Sequence, residues 1–276
     1  AQYHSTSKGG FKSKTLTRLY GYKSILALIF CFTVFFISFL FPVLQMLYWT
    51  IIFPKHLADL NLLELFFNTI LLVFLSSVVL ISLAFISNYG NRVSKSKFLE
   101  ILTTFSISGY AIPGIILAVA FITFVSWFDN NVINFFGFST IKSIFIGSIL
   151  GLVIVYFVRF YSLASNGIKS GYLKINYSID ESAYLLGYSK FKTFKNIHIP
   201  YLKNSMLLIG ILIAIEVIKE LPITLIMRPF NFETFATQAY IYASQDLLEA
   251  AAAPSLFLIL IASFFILITS RYILKE

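Results

Sequence analysis

Six apolar runs, at about 25–52, 62–87, 101–128, 141–163, 205–227 and 250–272, take up most of this 276-residue chain. Each is long enough, at about 20 residues or more, to cross a ~30 Å hydrocarbon core as a helix. Charged residues make up only 12% of the chain, against about 25% in an ordinary soluble domain. These features predict an all-α membrane protein with six transmembrane helices. The first run is too long, and too far from any small-residue cleavage site, to be a signal peptide. Pro42 within it predicts a kink, because proline removes a backbone donor.

Few other chemistries fit. The single Cys31 rules out a disulfide framework and a thiolate metal cluster. His4, His56 and His198 are far apart and have no ligand spacing. The net charge of +9 reads as a determinant of membrane orientation rather than as a nucleic-acid surface. Most of the 21 basic residues fall in alternate connections. Lys8, Lys12, Lys14, Arg18 and Lys23 precede the first run, and Arg92, Lys95 and Lys97 follow the second. Arg159, Lys169, Lys174, Lys190, Lys192, Lys195 and Lys203 are assigned to the connection between the fourth and fifth runs, and Arg271 and Lys275 to the tail. The other connections hold Asp59, Glu64, Asp129, Glu233, Asp246 and Glu249. The positive-inside rule then places both termini and the 164–204 connection in the cytoplasm. Residues 1–24, polar and rich in Gly, Ser and Lys, read as a linker preceding a 25–276 domain, as if the chain were one half of a longer protein.

The 164–204 connection is patterned. Ser178 stands three residues before Glu181, the spacing of a capping box. A helix over about 178–187 would stop at Gly187, which adopts the left-handed cap at least cost. Ser189 can start a second helix, about 190–199, that displays Phe191, Phe194 and His198 and ends at Pro200.

"ESAYLLGYSKFKTFKNIHIP" (181–200) resembles the EAA motif of ABC importer permeases: E-A-A, three residues, Gly, nine residues, then I-x-L-P. Glu181, Ala183, Gly187, Ile197 and Pro200 match at that spacing, with Ser182 in place of the middle Ala and Ile199 in place of Leu. The resemblance implies a coupling loop that sits in a cleft of a cytoplasmic ATP-binding subunit, with Glu181 facing a basic residue there. The chain contains no G-x-x-x-x-G-K-S/T pattern, so ATP and Mg would be bound and hydrolysed by that partner, leaving this chain no enzyme and without a cofactor. "GYAIPGIILAVAF" (109–121), residues 216–260 and the lead "STSKGGFK" are similar to the C-terminal half of ferric-iron permeases. The resemblance therefore implies a multi-pass subunit of the bacterial inner membrane that carries ferric iron. Its implied partners are a solute-binding protein and a second permease half, fused or dimeric. Thiamine, phosphonate and polyamine permeases share parts of the pattern. A secondary transporter, which would often show inverted repeats, or an intramembrane enzyme, which would need a catalytic dyad, fits less well.

Glu216, counted at ~1.5 Å per residue from Ser205, lies about 16 Å into the bilayer, with Lys219 and Glu220 expected on the same helix face. Charges at that depth cost at least ~2.5–3.5 kcal/mol unless paired or wetted. The three are candidates for the solute path or for a structural Glu216–Lys219 pair. Pro113 and Pro222 are candidate gate positions where the third and fifth spans can bend. Asn68 is expected in interhelical packing, and Tyr240, Tyr242 and Asp246 in an outer loop that docks the solute-binding protein. No metal-ligand spacing occurs among the Tyr and carboxylate residues.

Overall fold

The computed structural model describes residues 18–94, 96–128, 131 and 145–273. Most of the expected linker, Lys95, Asp129, Lys275 and the start of the fourth apolar run lie outside them. The described residues are helical, with no strand. Two compact units, residues 1–45 and 46–276, divide the chain.

The helices run in order as α1 (Tyr22–Phe35), a π turn (Phe36–Leu40), α2 (Phe41–Ile52), α3 (Pro54–Ala58) and α4 (Leu62–Ser94). There follow α5 (Lys97–Ile107), a 3₁₀ turn (Ser108–Ala111), α6 (Gly114–Phe128), α7 (Ile149–Tyr172) and α8 (Tyr177–Leu185). The last part holds α9 (Lys190–Thr193), a second π turn (Phe194–His198), α10 (Ile199–Ile218), α11 (Pro222–Met227), α12 (Phe235–Ser244) and α13 (Leu248–Ile273). Among the described residues, five segments are long and apolar enough to cross a membrane: Tyr22–Ile52, Leu62–Ser94, Ile149–Tyr172, Lys190–Ile218 and Leu248–Arg271. The pair Lys97–Ala111 and Gly114–Phe128, bent by 118° at its break, makes a sixth when counted as one broken span.

Prolines shape the spans in two ways. Pro42 and Pro200 each stand two residues after a five-residue π turn, and the helix continues through both. A π turn shifts the hydrogen-bond register and so absorbs the donor that proline lacks. The expected end at Pro200 is therefore corrected: the second short helix runs on into the fifth span. Pro113 breaks its span outright. Ile112 before it is extended at φ −84°, ψ 131°, as the clash with the proline ring dictates.

The core of the larger unit is built from α4, α7 and α10. Leu72, Leu80 and Ala84 on α4 meet Leu152, Tyr156, Phe160, Ala164 and Ile168 on α7, and Ile209, Ile213 and Val217 on α10. Lipid tails are as apolar as these side chains, so close packing rather than water exclusion holds such helices together. Small residues permit the approach. At Gly109 a Cβ would run into the carbonyl of Val158 on α7. α12 folds back on α13, with Phe235 stacked on Phe257 at 5.5 Å and Ala250 to Ala253 buried.

Gly109→Ala should overpack this contact and cost about 1–3 kcal/mol. Gly90→Ala, on α4 with nothing within 4 Å of its added Cβ, should be neutral or stabilising by up to ~1 kcal/mol. Thermal unfolding of both in one detergent checks the contrast.

Candidate functional site

The 181–200 stretch forms two short helices around a tight turn. Asn176, not Ser178, caps α8: its side chain accepts from the Ser178 amide, and the expected capping box with Glu181 is not formed. Asn176 lies in the extended conformation that puts its oxygen over the first turn. At the other end Gly187 has φ 79°. Its amide donates to Tyr184 O and that of Tyr188 to Ala183 O, each at 3.0 Å, the two bonds of a Schellman motif. Ser189 then caps α9 through the Lys192 amide, and Lys192 Nζ sits 4.3 Å from the Tyr188 ring centre.

This hairpin presents one surface and buries another. Glu181, Ser182, Gly187, Ile199 and Pro200 are exposed, as are Leu185 at 89% and Leu186 at 79%; Ile197 is half-buried and Ala183 buried. A groove of about 420 Å³ runs between the helices, lined by Ile179, Ser182, Ala183, Leu186, Asn196 and Ile197. Of the three aromatic residues expected on display, only Phe191 is exposed. Phe194 packs 4.9 Å from Phe85 and 4.7 Å from Tyr89, and His198 is fully buried. The cause is the π turn, which rotates 194–198 towards α4.

Beneath the hairpin lies a polar cluster with no local mark in the sequence. Arg92, at the end of α4, places Nε 2.7 Å from Asp180 Oδ2 and donates from Nη2 to the carbonyls of Ile175 and Asn176 at 3.0 and 3.2 Å. Its guanidinium also lies 4.2 Å from the centre of the Tyr177 ring. His198 Nε2 stands 2.8 Å from Asp180 Oδ1, close in distance but not aligned as a hydrogen bond. One arginine thus satisfies the carbonyls freed where α7 gives way to α8.

The path candidates separate into two groups. Glu216 pairs with Lys219 at 2.8 Å, and the Lys219 side chain is 56% exposed. Lys219 also lines a groove of about 400 Å³ with Trp49, Leu221, Tyr240 and Ala251. Glu220 does not share their face, because α10 ends at Ile218. It turns inward, accepts from the Ile223 amide at 3.3 Å and lies 3.6 Å from Arg159. Arg159 is not in the connection where its charge had placed it. It sits within α7 and donates to Ile112 O at 2.5 Å. Glu220, Pro222 and Pro113 are thereby gathered: Arg159 holds the break before Pro113, and Glu220 caps the helix that Pro222 opens. A Cβ on Gly114 would stand 2.9 Å from Glu220 Oε1, so glycine permits the approach. Tyr240 and Tyr242 lie on α12 rather than in a loop, with Asp246 in the turn after it at φ 60°. Asn68 donates to Glu233 O at 3.0 Å, a packing contact.

Glu220→Gln should strand Arg159 and cost about 3–5 kcal/mol, less to the extent that water reaches the partly exposed guanidinium. Yield and thermal midpoint should fall, and adding Arg159→Met should restore only part of the loss, because the Ile112 carbonyl then loses its donor. Glu216→Gln, whose partner already faces outward, should fold close to normally. Equal losses from the two glutamate variants would contradict this division.

No protein-family model matches the chain. The Fe(3+)-transport system permease protein FbpB 2 of Haemophilus influenzae is 20% identical over 276 residues. The alignment takes in 99% of this chain, which spans about half (52%) of that relative. Among solved structures, a bacterial alginate ABC transporter in complex with an alginate pentasaccharide-bound periplasmic protein superposes with a TM-score of 0.67 at 15% identity, over 90% of this chain and 93% of that one. A bacterial ABC transporter involved in importing the acidic polysaccharide alginate gives 0.65 at 18% identity, over 90% and 94%. In sequence and in fold the chain resembles the permease subunits of ABC importers, and it carries their transmembrane fold.

Proposed function

We propose that this chain is the permease subunit of an ATP-driven importer, and that the 177–200 hairpin is its coupling element. The observation that carries the reading is the hairpin itself. Two short helices, locked by the Schellman turn at Gly187, project Glu181, Leu185, Leu186 and Phe191 outward from a helical scaffold. On this hairpin the exposed apolar side chains stand among the exposed Glu181, Lys190, Lys192 and Lys195, which fits a patch that a protein partner covers, and the spacing is that of the coupling motif. The hairpin and the α4–α5 junction meet through Arg92 and Asp180. This supports placing both basic connections on one membrane face, the cytoplasmic one. The partner would be a cytoplasmic ATP-binding subunit carrying ATP and Mg. A solute-binding protein and a second permease half would complete the importer.

Ferric iron is the proposed cargo, supported by the relative that aligns along almost the whole chain. The saccharide cargo of the fold neighbours makes the comparison of iron and oligosaccharide uptake the deciding assay. The broken spans around Glu220 and Arg159 are the proposed path, since irregular backbone at membrane depth needs protein or water around it.

Co-expression with its ATP-binding subunit should yield a complex in which the binding protein stimulates ATP hydrolysis. Gly187→Val should insert and fold but lose the stimulation, because a β-branched residue in the left-handed region costs ~1–2 kcal/mol and misaligns the turn. Gly187→Asn, which tolerates that region, should retain most of it. Full stimulation in the valine variant would remove Gly187 from the coupling turn.

A further inference from the structure

α4 holds segments remote in sequence at both of its ends. At one end Arg92 grips Asp180 and the carbonyls before α8, and Tyr89 Oη donates to Lys190 O at 2.6 Å. At the other, Asn68 Nδ2 donates to Glu233 O at 3.0 Å, and Thr69 Oγ1 accepts from the Phe235 amide at 3.2 Å. Glu233 is in turn paired with Arg228 and accepts from Thr237 Oγ1 at 2.8 Å. The segment gripped there therefore joins α11, capped by Glu220, to α12. Residues 68 and 92 are ~36 Å apart along a helix. Between them α4 is unbroken and free of proline, with Leu72, Ser76, Leu80 and Ala84 buried. Such a helix resists compression along its axis, so a shift at one end arrives at the other.

We infer that α4 is a rigid strut that carries movement of the 177–200 hairpin to the 228–235 segment beside the broken span. Arg92 and Asp180 at one end, and Asn68 and Thr69 at the other, are its positioning residues. The inference rests on the coupling reading above and deepens it. The hairpin's chain neighbours are α7 and α10. The strut adds a third helix to the moving body and gives the hairpin a direct hold on the far end of the path.

The test places spin labels on the full protein in lipid nanodiscs, in a Cys31→Ser background. One pair, Lys195→Cys with Ile86→Cys, spans hairpin and strut; the other, Leu63→Cys with Phe230→Cys, spans strut and far segment. All four native side chains are exposed, and Lys195 lies apart from Glu181, Leu185, Leu186 and Phe191. Both distances should be narrow and should stay the same between nucleotide-free and ATP-trapped complexes. Asp180→Asn should broaden only the first pair and Thr69→Val only the second. Each should lower the solute moved per ATP hydrolysed by about fivefold or more, and Thr69→Ser, which keeps the hydroxyl, should preserve it. A shift of either distance on ATP trapping, unaltered widths in the variants, or an unchanged transport ratio overturns the strut. Failure of any ATP-binding subunit to assemble would instead sink the coupling reading. The widths measured without nucleotide still decide whether Asp180 and Thr69 fix the two ends.

Discussion

Backbone that leaves the helical ladder inside an apolar slab must find its hydrogen bonds elsewhere. Much of this structure follows from how the chain meets that demand. At the break before Pro113 the carbonyl of Ile112 is taken by Arg159, and at the break before Pro222 the Ile223 amide is taken by Glu220. Where α7 ends, the carbonyls of Ile175 and Asn176 are taken by Arg92. Both interruptions of a span are thus answered by a charged side chain, and the two charges form a pair, while Arg92 does the same for the turn after α7. Elsewhere the chain avoids the demand, as at Pro42 and Pro200, where π turns let a helix pass through a proline without stopping.

The division of labour explains which features were legible in the sequence. Apolar runs are local, so each span could be located, the first, third and sixth to within a few residues, whereas α4 and α7 run on past the ends of their apolar runs and α10 starts and ends earlier than its run; the left-handed turn at Gly187 follows from a glycine that ends a short helix. The contacts that assemble the charged clusters join residues far apart in the chain: Arg92 with Asp180, and Arg159 with Glu220. A single sequence carries no mark of such pairings. Arg159 therefore looked like one more basic residue of a connection, and Arg92 like an orientation signal. The same holds for His198, whose burial depends on the rotation introduced by the π turn before Pro200.

The helix caps show a finer limit. Ser178 and Glu181 have the spacing of a capping box, yet Asn176 sits two residues earlier with the better oxygen for the role. The helix then begins early enough to point Asp180 inward at Arg92 while Glu181, its neighbour, faces outward. Adjacent carboxylates a helical step of ~100° apart serve different ends, one holding the hairpin to the membrane domain and one available to a partner. The resemblance to importer permeases bears on the outward-facing residues, whereas the inward-facing set is visible only in the fold.

The central claim, that the hairpin docks into an ATP-binding subunit, is tested most directly at Leu185. In a Cys31→Ser background, Leu185→Cys in inverted membrane vesicles should react readily with a membrane-impermeant maleimide. Addition of the ATP-binding subunit should protect it, while a cysteine at the exposed Leu63 stays inaccessible from that side. Labelling of Leu185→Cys that is unaffected by the subunit, or that occurs only from the opposite face, would contradict the account.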